Sequence, residues 1–190
     1  LVTFTDHLPA QPTPTTHTRD LLWDLYLGLR VDGSGTWLNT VPESEVGYLP
    51  GTGIVRTVQV VGDLEVETLF FAPFQSGASR DLVVVARVTN RGATPRTVDL
   101  YSLDNVHTGG EGTADGEAVT QTPGGVLEER GSDRVLHPAL GSPFTRAAAP
   151  AGDAANPWTL LDGDAAFADT LVSGDDVAVG LMWPLGVLGA

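Results

Sequence analysis

From Gly53 to Leu103 the chain alternates apolar and polar residues with a period of two, and that period most restricts what it can fold into. A period of two is the pattern of a half-buried strand, not of a helix. In "GIVRTVQVV" Val55, Thr57 and Gln59 alternate with Arg56, Val58 and Val60. In "LEVETLFF" Leu64, Val66 and Phe70 share one face and Glu65 and Glu67 the other. Val61-Gly62-Asp63 between them is a tight-hairpin signal. "LVVVARVTN" (Leu82–Asn90) begins apolar on both faces, which suits a strand covered on both sides. "RTVDLYSL" alternates again, after a polar break that carries Asn90, Gly92 and Pro95. The break reads as a hairpin loop in which Asn90 and Gly92 take positive φ and Pro95 stiffens the exit.

The rest of the chain extends the pattern. "LVTFTDHL" and "LLWDLYLGLRV" precede these strands, and "EAVTQ", "GVLEER", "RVLHP" and "VAVGLMWPL" follow. The sequence carries 23 Gly and 13 Pro, scattered throughout, and both are poor guests in a helix interior. The one helical candidate is "GDAAFADTL" (Gly163–Leu171). "PAQPTPTTHT", "TGGEGTADGEA" and "AAAPAGDAANP" read as loops, and strand-like sequence resumes after each. About ten strands with turn signals at short spacing predict an all-β fold, an antiparallel β-sandwich with little helix. We expect one domain over residues 1–190. The chain starts at Leu1, which reads as processed or trimmed, and stops just after an apolar strand, which reads as a fragment or as final residues tucked into the fold.

Charge restricts the partners. The formal net charge is −14, all ten basic residues are Arg, and mean hydropathy is +0.05. An acidic chain repels phosphate backbones and anionic lipid, so neither nucleic acid nor membrane is an expected partner, whereas a sugar is permitted. There is no Cys, hence no disulfide framework and no thiolate metal site.

Chemistry is sparse. No G-x-S-x-G elbow and no H-E-x-x-H occurs. His7, His17, His107 and His137 are each isolated and read as loop-edge or hydrogen-bonded side chains. Asp162, Asp164 and Asp169 lack calcium-loop spacing and read as a solvated acidic turn. "GTGIVR" opens a strand rather than a helix, so it reads as a turn and not as a phosphate loop. Glu65 with Glu67, and Glu128 with Glu129, are carboxylate pairs that nothing marks as a glycosidase acid and base. No catalytic residue, metal or cofactor is expected. Trp23, Trp37, Tyr48, Trp158 and Trp183 are the aromatics able to stack on a sugar, an amphipathic task that suits such rings. Trp183 sits mid-strand and reads as core. Trp37, after the turn in "DGSGTWLNT", is the leading surface candidate, with Trp23 and Tyr48 beside it as carbohydrate-binding residues.

The stretch "VARVTNRGATPRTVDLYSLDNVHTG" resembles a hairpin of the N-terminal sandwich domains of bacterial glucoamylase-like hydrolases and inverting disaccharide phosphorylases of the cellobiose phosphorylase type. "RDLLWDLYLGL" and "GTGIVRTVQVVGDLEVETLFFAPF" resemble earlier parts of the same domains, so the resemblance runs from about Asp20 to Gly109. It implies a supersandwich, similar in shape to galactose mutarotase, packed in the family against a helical barrel that holds the catalytic carboxylates. No part of this chain resembles the barrel. The implied function is therefore a noncatalytic β-sandwich domain of a carbohydrate-active enzyme, with a catalytic helical domain or chain as its partner. An oligosaccharide and a second copy of the chain are further partners consistent with it. The alternatives are an autonomous carbohydrate-binding module and a structural or assembly sandwich with no sugar role.

Overall fold

The structure, a computed structural model, describes residues 22–73, 81–106, 117–130, 133–141 and 143–190; of residues 22, 23 and 133 only the backbone is described. The expected strand Leu1–Leu8 lies outside these residues, as do His7, His17 and His107.

Thirteen strands and one short helix form three open sheets among the described residues. The largest sheet has six strands: β1 (Leu22–Val31), β2 (Ser34–Trp37), β7 (Arg96–Val106), β11 (Thr145–Pro150), β12 (Thr170–Leu171) and β13 (Val177–Leu188), in the order β12-β11-β13-β7-β1-β2. All its pairings are antiparallel except the short β11–β12 pair. A four-stranded sheet joins β3 (Glu43–Tyr48), β4 (Val55–Val61), β5 (Leu64–Phe71) and β6 (Val83–Asn90) in chain order. A three-stranded sheet joins β8 (Ala118–Thr122), β9 (Gly125–Arg130) and β10 (Asp133–Pro138). The result is a sandwich-like β domain.

The six-stranded sheet is the platform, and its period of two sorts the packing. One face carries Leu27, Leu29, Val98, Leu100, Trp183, Leu181 and Val179, as the strand register dictates. Both smaller sheets pack on this face. Leu64 and Val66 of the four-stranded sheet close one core with Leu27, Leu29, Val98 and Leu100. Val126 of the three-stranded sheet closes a second with Ala148, Val177, Val179 and Leu181. Trp183 touches both, so it belongs to the core as its mid-strand position predicts.

The opposite face holds Tyr101, Leu103, Ala147, Ala178 and Met182, covered by α1 (Pro157–Asp162) and by Phe167 beyond it. The helix starts where Asn156 accepts a hydrogen bond from the Trp158 amide at 3.0 Å and Pro157 takes the first turn, where its missing N–H costs nothing. It lies close to the sheet because Gly28 and Gly35 face it. A methyl group on Gly35 would collide with the Leu161 carbonyl oxygen.

Several sequence expectations need correction. The helix occupies Pro157–Asp162, and the expected helical stretch Gly163–Leu171 follows it as turn, irregular chain and β12. Gly163 ends the helix instead of starting it. "AAAP", expected as loop, is the buried half of β11, because alanines suit a strand packed tightly on both faces. β6 is an edge strand among the described residues and Val85 is largely exposed, so it is not covered on both sides. The polar break after Asn90 is not a hairpin: β6 pairs with β5, whereas β7 pairs with β1 and β13. The break is a corner at which the chain changes sheets.

Candidate functional site

Among the described residues, one end of the helix-bearing face is left open and a cleft forms, with a volume of about 380 Å³. Three adjacent strands build its floor by the rule that residues i and i+2 share a face. Asp24 and Tyr26 come from β1, Leu103 and Asn105 from β7, and Ala178 from β13, with Asp176 just before it. The register places Tyr26 opposite Leu103, and Asn105 opposite both Asp24 and Ala178. Trp158 and Asn156, at the start of α1, close one side.

The polar groups are fixed in pairs. Tyr26 Oη donates to Asp24 Oδ1 at 2.7 Å. This bond, with burial and the neighbouring negative charge, raises the phenol above its ordinary value. Asn105 Nδ2 donates to Asp176 Oδ1 at 3.1 Å. Asp176 sits in the left-handed region at φ 53°, a conformation that Asp tolerates better than most residues and that turns the chain into β13. The aromatic groups are fixed as well. Trp158 stacks on Trp37 with centroids 4.8 Å apart and meets Tyr26 nearly edge-on at 5.4 Å. Rings held in this way present apolar area without losing rotamer freedom on binding.

Of the residues expected to hold sugar, Trp37 and Tyr48 do not come together. Trp37 is not a surface residue: it is 3% exposed and lies in the core. It stands opposite Gly28, whose lack of a side chain admits the indole, and Trp158 covers it. Tyr48 is 73% exposed, but on β3 of a different sheet. Trp23 lies on β1, and its side chain is outside the described residues. Asp24, Tyr26, Asn105 and Asp176 were missed as site residues. For Asp24 and Tyr26 the signal was the polar residue at every second position of "WDLYL", beside a strand end; Asn105 and Asp176 have no such signal.

A second cluster lies on the other face. His137 is 5% exposed; its Nδ1 is 3.3 Å from Asp104 and its Nε2 is 3.1 Å from the fully buried Glu128. Burial alone would lower its pKa, but the hydrogen bonds and charges of Asp104 and Glu128 outweigh it, and the value rises to about 9. Imidazolium is thus the form at neutral pH, and both ring nitrogens donate. With no lone pair and almost no exposure, the ring binds β10 to β9 and to β7 rather than serving as a base. The hydrogen-bonded reading of this histidine holds, although the sequence did not show its two partners converging.

The remaining candidates are spent on structure. Glu67 is bonded by Arg56 and Arg87, and Glu65 by Arg91. These arginines hold both carboxyls below their usual range, hydrogen bonding first. Asp164 accepts from the Gly35 amide, and Asp169 accepts from the Arg146 amide and guanidinium. These aspartates therefore serve separate partners and do not converge on a cation. Arg146 is itself buried and donates to the Gly125 and Thr122 carbonyls, tying β11 to the three-stranded sheet.

No family model, no curated protein and no solved structure matches this chain.

Proposed function

We propose that the chain is a noncatalytic β-sandwich domain of a carbohydrate-active enzyme and that the cleft of Asp24, Tyr26, Asn105, Trp158 and Asp176 is its sugar site. The observation that carries this reading is the combination in one open cleft of two fixed aromatic rings with carboxylate and amide groups. Sugars need both: aromatic rings pack on their C–H faces, and planar polar side chains bond their hydroxyls. The resemblance of Asp20–Gly109 to the sandwich domains of glucoamylase-like hydrolases and disaccharide phosphorylases supports the same reading, with a catalytic helical domain as the partner. In this reading the cleft holds sugar near the chemistry, and the bond is broken elsewhere.

The test uses the purified chain and a panel of α- and β-linked glucose oligosaccharides. Binding to at least one member without its hydrolysis is the expected result. Trp158→Ala weakens that binding about tenfold or more, the scale of one lost aromatic contact, while Tyr48→Ala leaves it unchanged. Hydrolysis by the isolated chain overturns the noncatalytic role. Binding unaffected by Trp158→Ala but lost in Tyr48→Ala moves the site to β3.

A further inference from the structure

We infer that the cleft grips one or two pyranose units of a soluble sugar and is closed to the flat surface of an insoluble polysaccharide. This rests on reading the cleft as a sugar site and names the class of sugar it takes. Its rings set the first limit. The Tyr26 and Trp158 planes are inclined at 69°, with centroids 5.4 Å apart. No flat surface lies on both, whereas a single sugar ring fits the corner between them, its face on one and its edge on the other. Trp37 already occupies one face of Trp158 at 4.8 Å, so that indole has one face left. A crystalline polysaccharide presents a rigid plane, and binding it needs several rings level with one another. Among the described residues Tyr48 is the aromatic side chain with large exposure, and it stands on β3 of another sheet. The second limit is depth. The floor belongs to three strands, and Trp158 and Thr159 of α1 stand above it, because the helix packs on that face. A rigid plane resting on the helix does not reach the floor; a free sugar does. The third limit is size. Asp24 and Tyr26 are two residues apart on one strand, about 7 Å, and the floor from β1 to β13 spans two strand spacings, about 10 Å. At about 380 Å³ the cleft is at the small end of ligand sites, which run to about 1,000 Å³. Among the described residues, a third sugar unit in line meets water rather than a further ring.

The probes are glucose and its α-1,4- and β-1,4-linked oligomers of two, four and six units, with granular starch and microcrystalline cellulose as solids. Affinities for the 190-residue chain are measured by calorimetry, and adsorption by its depletion from the supernatant. In the linkage that binds, the hexasaccharide is expected to exceed the disaccharide by no more than about tenfold, since added units bring more positions to bind and no new ring. The chain stays in solution over both solids. Trp158→Ala weakens the disaccharide and the hexasaccharide by the same factor, because both are held at the same rings. A rise of more than about tenfold from disaccharide to hexasaccharide is the mark of an extended groove; it overturns the inference and leaves the sugar site standing. Hexasaccharide affinity kept in Trp158→Ala while disaccharide affinity falls overturns it too. So does adsorption of the unaltered chain to either solid that the disaccharide reverses. Binding of no soluble sugar overturns both readings. The length series and the solids use the unaltered chain, so they decide the matter even where Trp158→Ala fails to fold.

Discussion

At the residue scale, the side chains with the most consequence are those whose surroundings reverse their usual behaviour. His137 is the plainest case. Its pKa is raised from 6.5 to about 9, so the folded state holds its proton more tightly than the unfolded chain. The stability this contributes is fully present below pH 6.5 and is lost as pH rises through 9. Each tenfold gain in proton affinity is worth about 1.4 kcal/mol, so the loss is on the order of 3 kcal/mol. Denaturant titrations between pH 6 and pH 10 should show the midpoint falling over this window. His137→Gln should be less stable at pH 6 and nearly flat over the same range; a wild-type slope retained in His137→Gln would refute the assignment. Gly35 makes a different point. It lies against the Leu161 carbonyl, so Gly35→Ala must push α1 off the sheet. We expect a loss of about 1–3 kcal/mol, the usual cost of overpacking, read as a lower melting temperature. A melting temperature equal to wild type would contradict the close approach.

At the scale of elements, the corner between β6 and β7 shows how much was legible in the sequence. Alternation located both strands, and "VGD" located the β4–β5 turn, where Gly62 has φ 58° and Val61 pairs with Leu64. Alternation did not say which strands pair, because each half of "ARVTNRGATPRTVDLYSL" is a good strand whichever sheet it joins. The difference lies in Asn90. Neither Asn90 nor Gly92 takes positive φ. Asn90 Oδ1 accepts from the Gly92 amide at 3.0 Å, and its Nδ2 donates to the Thr94 and Leu188 carbonyls. The bond to Leu188 ties the corner to the last strand, 98 residues away, which no local reading detects. Asn90→Asp keeps the acceptor and loses both donor bonds; Asn90→Ala loses all three. The expected order of melting temperature is wild type, then Asp, then Ala, with Ala less stable than wild type by about 1–2 kcal/mol. Equal melting temperatures would mean that the corner does not hold the two sheets together. The site was less legible than the strands for a related reason. Trp37 follows a turn and reads as exposed, but the glycine across from it and the indole above it are placed by pairing and by α1. Period-two spacing did mark Asp24 with Tyr26; what it could not supply was Trp158, which reaches them from more than a hundred residues away.

At the scale of the whole molecule, among the described residues one six-stranded sheet is covered on one face by two small sheets and on the other by a short helix with Phe167 beyond it. Among the described residues, a helix of six residues is too short to cover that face, and the cleft is what it leaves open. The net charge of −14 is compatible with a neutral sugar, the ligand proposed for the cleft. The two faces also separate the tryptophans: Trp158 lines the cleft, while Trp183 is packed between the sheets on the far side. The indole N–H resonances of the labelled chain therefore test the account most directly. On addition of a bound oligosaccharide the Trp158 signal should move most and the Trp183 signal should stay in place. No indole movement with any oligosaccharide, or the largest movement at Trp183, would contradict the sugar cleft.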